Sequence, residues 1–143
     1  MNRRLSYRTA RNIIRLVAAT IFSASSFCGS LPTENKPLVV VVYADWCPLC
    51  QKLKPVLARI NEKYSGKIHF VRLDVTSKET TAKSRLQAQS LGLEQFFEQS
   101  RDKTSLVVIQ DPAGHEVFRA VHDYDFQHYA TVLDQQLRAA PGK

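Results

Sequence analysis

Two cysteines separated by two residues are the part of this 143-residue chain best suited to chemistry. Cys47 and Cys50 follow an apolar run at residues 38–44 and precede a helix-compatible run at residues 51–63. A helix N-terminus carries free N–H groups and about half a positive charge, which together stabilise a thiolate. Because the thiolate is the nucleophile in disulfide exchange, this position activates the first cysteine, and the pair can close a disulfide within one helical turn. The pattern predicts a redox-active dithiol.

The elements that position this pair follow from apolar patterning. Residues 38–43 are β-branched and apolar without alternation, which predicts a strand covered on both faces. Asp, Pro and Gly at residues 111–114 predict the turn of a hairpin. Asp123 or Asp125 is expected to cap the last helix. Apolar spacing predicts helices at residues 47–64, 78–91, 93–100 and 125–138, and further strands at residues 68–75, 106–110 and 116–121.

Residues 43–55, which read YADWCPLCQKLKP, resemble the active-site segment of the thioredoxin family. The family signature is an aromatic residue, Ala, an acid, Trp and then Cys-x-x-Cys. Pro55 lies eight residues after Cys47, where thioredoxins carry the proline that kinks the active-site helix. The resemblance covers about residues 37–140. It implies an α/β thioredoxin fold, with a central four-stranded mixed sheet in the order β-α-β-α-β-β-α. Full thioredoxins add a strand and a helix before this core, and we expect both to be absent here, because only residues 31–37 separate the leader from Leu38.

The resemblance also implies a role for each residue around the cysteines. Cys47 is the attacking thiol and is expected to be exposed, whereas Cys50 is the more buried resolving thiol. Trp46 is expected to shape the surface on which partners dock, with packing in the core as its alternative role. Tyr43 is the aromatic residue of the signature and is counted among the residues that shape the site.

The two residues between the cysteines tune the reduction potential across the family. Pro48 pre-sets the backbone angle φ for a helix start, and Leu49 places an apolar side chain beside the cysteines. Neither is a histidine, the charged thiolate partner of the strongly oxidising relatives. We therefore expect a middling to reducing couple.

Two positions depart from the thioredoxin pattern. Thioredoxins bury an Asp six residues before the first cysteine, and this chain has Val41 there. The family also carries a cis-proline before its third core strand, and the best-aligned residue here is Thr104, with Ser105 next. A cis bond without proline costs about 2.5–4 kcal/mol, so we expect a trans bond. Peroxiredoxins carry Thr at this position, and its hydroxyl could hydrogen-bond the Cys47 thiolate.

The basic charge of the chain is concentrated at its beginning. The net charge is +7, but five arginines and no acid lie before residue 34, which leaves the remainder at +2. This balance predicts no nucleic-acid partner. The arginines precede an apolar or small run at residues 16–27, as in an export signal. We predict an export signal or membrane anchor at residues 1–30, a linker at residues 31–37 and a thioredoxin-like domain at residues 38–143.

The other chemistry-bearing residues favour no further site. Cys28 follows the apolar run, and we expect it to be removed with the leader or to be an idle thiol. The histidines lack metal-ligand spacing with the Cys47–Cys50 pair, so no metal and no cofactor is expected. The histidines are His69, His115, His122 and His128.

The resulting hypothesis is a thiol–disulfide oxidoreductase that reduces, or relays electrons to, protein disulfides outside the cytoplasm. Its place would be the periplasm or a lumen, with an organellar location as the alternative. Its partners would be protein thiols and disulfides and a membrane thiol donor or acceptor, and it would touch the membrane only through an uncleaved N-terminal segment. Two alternatives remain open: a metal or iron–sulfur module, for which two cysteines supply half of a four-ligand site, and a non-catalytic interaction domain with a static disulfide.

Overall fold

Four strands and four helices follow one another in the predicted order. The computed structural model describes residues 35–139. The predicted boundaries are confirmed to within about one residue. The elements are β1 (Leu38–Tyr43), α1 (Pro48–Lys63), β2 (His69–Asp74), α2 (Lys78–Ser90), α3 (Glu94–Ser100), β3 (Leu106–Gln110), β4 (Glu116–Val121) and α4 (Phe126–Ala139).

The strands form one mixed sheet in the order β2-β1-β3-β4. β1 is parallel to β2 and antiparallel to β3, so that Val41 is paired with Arg72 on one side and with Val107 on the other. β3 and β4 form the predicted antiparallel hairpin. Because β1 is a central strand, its backbone is paired on both edges, and the fold is the α/β arrangement that the sequence predicted.

Helices cover both faces of β1. Val39 and Val41 share a buried cluster with residues of α1 and α4, whereas Leu38 and Val40 share one with residues of α2 and α3. All six residues of β1 are buried, which explains the run without alternation. Burying one large aliphatic side chain stabilises a fold by about 1.5–3 kcal/mol, so these two layers hold β1, and the loop that follows it, in place.

Local signals end and begin the helices as the sequence suggested. Gly92 has a φ of 70°, in the left-handed region that Gly adopts readily, and it separates α2 from α3. Of the two predicted caps of α4, Asp125 precedes the helix, and its Oδ1 accepts a hydrogen bond from the N–H of Gln127 at 2.8 Å. Asp123 instead accepts from the N–H of Asp125 at 3.0 Å.

The leader lies outside the described residues. The predicted export segment, Cys28 and most of the linker fall there, so the proposed division at residues 30 and 37 stays a prediction. Among residues 35–139, none of the helices has the length and apolar character needed to span a bilayer.

Candidate active site

The two cysteines lie at the junction of β1 and α1. Cys47 is the N-cap of α1, and its Sγ accepts a hydrogen bond from the backbone N–H of Cys50 at 3.2 Å. Pro48 occupies the first helical position, where its missing N–H leaves no donor unpaired. The sulfur therefore takes the place of the oxygen that usually caps a helix, and it points toward the free N–H groups of the first turn.

Cys47 is less exposed than the sequence predicted. Its exposed fraction is 4%, and it belongs to the same buried cluster as Cys50, so the expectation of an exposed attacking thiol was wrong. The physical reason is the cap, which turns the side chain back against the helix instead of toward solvent. Pro48 beside it is exposed, whereas Leu49 is partly buried and packs against that cluster. Both cysteines are free thiols.

The environment separates the acidities of the two thiols. Burial raises the pKa of Cys47, but hydrogen bonds from the Cys50 thiol, from the Thr104 side chain and from the backbone of Cys50 and Leu49 bring it below its ordinary value. Burial raises the pKa of Cys50, and its hydrogen bond to Cys47 raises it further. Cys47 is thus the easier thiol to ionise, as an attacking thiolate must be.

The loop before β3 faces the cysteines without a cis bond. No cis peptide bond occurs between residues 35 and 139, which agrees with the trans bond expected at Thr104. The Thr104 side chain is a hydrogen-bond partner of Cys47, and the backbone of Ser105 is one of Cys50. This loop therefore contributes one contact to each thiol.

Trp46 lies on the surface beside the first cysteine. Its exposed fraction is 63%, so core packing is not its role. The indole N–H donates to the backbone carbonyl of Thr76 at 3.1 Å. The backbone N–H of Asp45 donates to Thr76 Oγ1 at 2.9 Å. The loop after β2 thus holds the two residues that precede Cys47.

Tyr43 supports the loop between β1 and α1, which carries Asp45 and Trp46. Its hydroxyl donates to Asp45 Oδ1 at 2.7 Å and accepts from Gln51 Nε2 at 3.2 Å. Gln51 Nε2 also donates to the backbone carbonyl of Asp45 at 2.8 Å. The cationic ends of Lys54 and Arg72 lie 5.5 and 4.8 Å from the centre of the Tyr43 ring. Tyr43 is therefore a buried support of the loop that carries Trp46.

Sequence reasoning missed Thr76 and Gln51 and gave Ser105 no role. Thr76 reaches the site only through tertiary contacts that no local pattern indicates. Ser105 aligns next after Thr104 with the cis-proline position of the family, but its contact with Cys50 depends on tertiary structure. Gln51 carried a signal, because it follows Cys50 on the first turn of α1, one turn after Cys47. Val41, in contrast, lies where the sequence placed it, fully buried in the core cluster beneath the cysteines.

Metal-ligating side chains are dispersed across the described structure. Between residues 35 and 139, no group of three or more His, Cys, Asp or Glu side chains is placed to hold a metal ion. His115 and His128 instead make contacts with Asp111 and Asp123 on the surface.

The sequence of the chain matches known proteins over most of its length. The thioredoxin family model matches residues 18–108. Chloroplastic thioredoxin Y of Oryza sativa subsp. japonica is 36% identical over 89 residues, which are 62% of this chain and 52% of that protein. Thioredoxin C-2 of Corynebacterium nephridii is 35% identical over 68 residues, or 46% and 63% of the two chains. The TxlA homolog of Synechocystis sp., a thiol:disulfide interchange protein, is 40% identical over 42 residues, or 29% and 23%. The chain thus spans less than two thirds of each of these relatives.

Solved structures show the same fold. Trxlp from Edwardsiella tarda EIB202 superposes with a TM-score of 0.50 at 19% identity, covering 71% of this chain and 84% of that one. A thioredoxin-like protein in its oxidized form superposes with a TM-score of 0.53 at 13% identity, covering 76% and 82%. At these identities the likeness concerns the fold alone. Because the family model covers more than half of the chain, this protein belongs to the thioredoxin family.

Proposed function

We propose that the chain is a thiol–disulfide oxidoreductase in which Cys47 attacks a target disulfide and Cys50 resolves the product. The observation that carries this proposal is the Cys47 sulfur, which caps α1 and accepts the Cys50 N–H at 3.2 Å. The Cys47 thiolate forms a bond to one target sulfur while the other leaves as a thiolate. Cys50 then displaces the first sulfur, so the target gains two electrons and the Cys47–Cys50 disulfide forms.

Protein disulfides are the proposed substrates. The exposed Trp46 ring belongs to the residue next to the buried Cys47, so we expect a partner that reaches the Cys47 sulfur to contact the indole as well. Aromatic side chains are favoured at protein interfaces because they bury a large area. One relative is described as a thiol:disulfide interchange protein, which supports the same class of substrate for this chain.

The proposed location is outside the cytoplasm, in a periplasm or a lumen. The arginine-rich start and the apolar run at residues 16–27 support export, and the chloroplastic relative supports the organellar alternative. A reductase in such a compartment needs an electron donor that reduces its Cys47–Cys50 disulfide after each reaction. We therefore include a membrane thiol donor in the proposal, or a membrane acceptor if the couple proves oxidising.

The reduction potential of the Cys47–Cys50 couple tests the proposal most directly. The full chain would be equilibrated against glutathione and dithiothreitol buffers, both as it is and with Cys28→Ala to remove the third thiol. We expect a reversible couple near or below about −200 mV, compared with about −270 mV for thioredoxin. A value of about −120 mV would reverse the proposed electron flow. If the two cysteines were not reversibly oxidised and reduced in these buffers, the enzyme hypothesis would be wrong.

Single cysteine variants test the assigned roles. Cys50→Ser is expected to accumulate a mixed disulfide with a protein substrate, whereas Cys47→Ser is expected to form none. Mass spectrometry of the quenched mixture would measure both. Equal trapping by the two variants would contradict the assignment of Cys47 as the attacking thiol.

A further inference from the structure

One buried side chain beside the cysteines is left without a hydrogen-bond partner. Ser105 has an exposed fraction of 1%, and no partner within the described residues contacts its Oγ. Its φ is 65°, in the left-handed region that costs an L-residue free energy. Buried serine hydroxyls are nearly always hydrogen-bonded, and backbone strain of this kind is concentrated at functional sites. Ser105 therefore has both an unpaired buried hydroxyl and a strained backbone.

The backbone of Ser105 is fixed on three sides. Its N–H donates to the carbonyl of Val42 at 2.9 Å, and its own carbonyl accepts from the N–H of His122 at 3.2 Å. The same backbone is a hydrogen-bond partner of Cys50. A serine Oγ is joined to its own backbone nitrogen through two carbon atoms. The hydroxyl therefore stays close to the backbone that contacts Cys50, whichever rotamer the side chain adopts.

Other polar side chains of the site are already engaged. The Thr104 side chain contacts Cys47, and the Asp45 carboxylate accepts from the Tyr43 hydroxyl at 2.7 Å. Val41 places an apolar side chain beneath the site. The titratable group that interacts with Cys50, by a hydrogen bond and by charge, is Cys47. Ser105 therefore supplies a buried donor that is still free to serve the resolving thiol.

We propose that Ser105 is a positioning residue for Cys50, and that its hydroxyl donates a hydrogen bond to the Cys50 thiolate during resolution. This inference rests on the proposed function. In that step the Cys50 proton passes to water and Cys50 Sγ forms a bond to Cys47 Sγ. The bond between Cys47 and the substrate breaks, and the substrate sulfur leaves with the electron pair and takes a proton from water. Ser105 keeps its own proton throughout.

The first test measures the pKa of Cys50 alone. Thiolate absorbance would be followed with pH in the full chain with Cys28→Ala and Cys47→Ser, with and without Ser105→Ala. A hydrogen bond to a charged group accounts for about one pKa unit, so Ser105→Ala should raise the pKa of Cys50 by about that much. An unchanged pKa would overturn the inference.

The second test measures the resolving step with both cysteines present. The chain with Cys28→Ala would react with 5,5′-dithiobis(2-nitrobenzoate), whose second release of thionitrobenzoate reports the attack of Cys50. At neutral pH, Ser105→Ala should slow this phase by about threefold, because the roughly tenfold loss of thiolate is partly offset by higher nucleophilicity. If the parent chain resolves and the variant keeps the same rate, the inference fails while the proposed function stands. If the parent chain never resolves, the proposed function fails.

Two further variants separate the hydroxyl from the backbone. Ser105→Gly removes the hydroxyl and suits the positive φ, so it should fold at least as stably and still slow resolution. Ser100→Ala removes another buried serine hydroxyl, at the end of α3, and should leave the resolving rate unchanged. A Ser105→Gly protein that resolves as fast as the parent would show that only the backbone matters.

Discussion

The indole N–H of Trp46 donates a hydrogen bond to the backbone carbonyl of Thr76 at 3.1 Å. The bond joins the residue before the first cysteine to the loop after β2, 30 positions further along the chain. Since the ring is mostly exposed, the contact orients an aromatic surface beside Cys47 more than it builds the core.

Replacement of this tryptophan is expected to affect docking more than folding. Trp46→Phe keeps an aromatic ring but removes the donor to Thr76, so the KM for a protein disulfide substrate should rise by about threefold. The free energy of unfolding should fall by no more than about 1 kcal/mol. Steady-state kinetics and urea denaturation would measure the two effects. Trp46→Ala serves as the comparison and should raise KM further, and unchanged KM values in both variants would contradict a docking role.

The threonine in the loop before β3 is expected to acidify the attacking thiol. Thr104→Val keeps the shape of the side chain but removes its hydroxyl, so the pKa of Cys47 should rise by about one unit. The pH profile of Cys47 alkylation would then lie at higher pH than in the parent, because only the thiolate reacts.

A threonine away from the site provides the control for this change. Thr131 lies on the exposed side of α4, where its hydroxyl donates to the Gln127 carbonyl at 2.8 Å. Thr131→Val should leave the alkylation profile in place. A Thr104→Val profile that coincides with the parent would show that the hydroxyl contributes nothing to the acidity of Cys47.

The fold was predictable because its signals are local. β1 is a continuous apolar run, α1 shows helical spacing, and Gly92 marks the break between α2 and α3. Each of these depends on neighbours within a few positions. The cysteine spacing is local too, and the cap geometry of Cys47 follows from its place before Pro48.

The remainder of the site depends on contacts between distant segments. Thr76 reaches Trp46, and Ser105 reaches Cys50, because β2 and β3 flank β1 in the sheet. No local pattern indicates either contact. The burial of Cys47 was not predictable from the sequence for a similar reason. Its position in sequence indicates a helix start, but its burial depends on the direction in which Sγ turns to accept the Cys50 N–H.

A carboxyl introduced beneath the site should destabilise the protein in a pH-dependent way. Val41 has an exposed fraction of 0%, and Val41→Asp should lower the free energy of unfolding by about 3 kcal/mol at neutral pH. Burial raises the pKa of the new carboxyl, so the folded state holds a proton that the unfolded state releases above about pH 4. The loss of stability should therefore grow as pH rises.

The neutral isostere separates charge from polarity at this position. Val41→Asn should also destabilise the fold, but by an amount that does not change with pH. Denaturation curves of both variants at several pH values would provide the comparison. A loss in Val41→Asp that shrinks as pH rises would contradict the buried location of the side chain.

An ion pair between the loop that follows β4 and the first turn of α4 should make stability depend on the charge of His128. His128 Nδ1 lies 2.8 Å from Asp123 Oδ2, and the pKa of His128 lies above its ordinary 6.5 because of this hydrogen bond and the charge of Asp123. Burial raises the pKa of Asp123, but hydrogen bonds from Asp125 and His128 bring it below 3.8. The loop adjoins the site, since the N–H of His122 donates to the carbonyl of Ser105.

The sign of the pH dependence follows from the two shifts. The raised pKa of His128 gives stability that is complete below about pH 6.5 and is lost as pH rises through the folded-state pKa. The lowered pKa of Asp123 gives stability that is present above about pH 3.8 and is lost as pH falls. The parent should therefore exceed His128→Gln in stability at about pH 5, and the difference should vanish at about pH 9. Guanidinium denaturation at both pH values would measure it. A difference that is larger at the higher pH would show that the His128 imidazolium does not hold this loop.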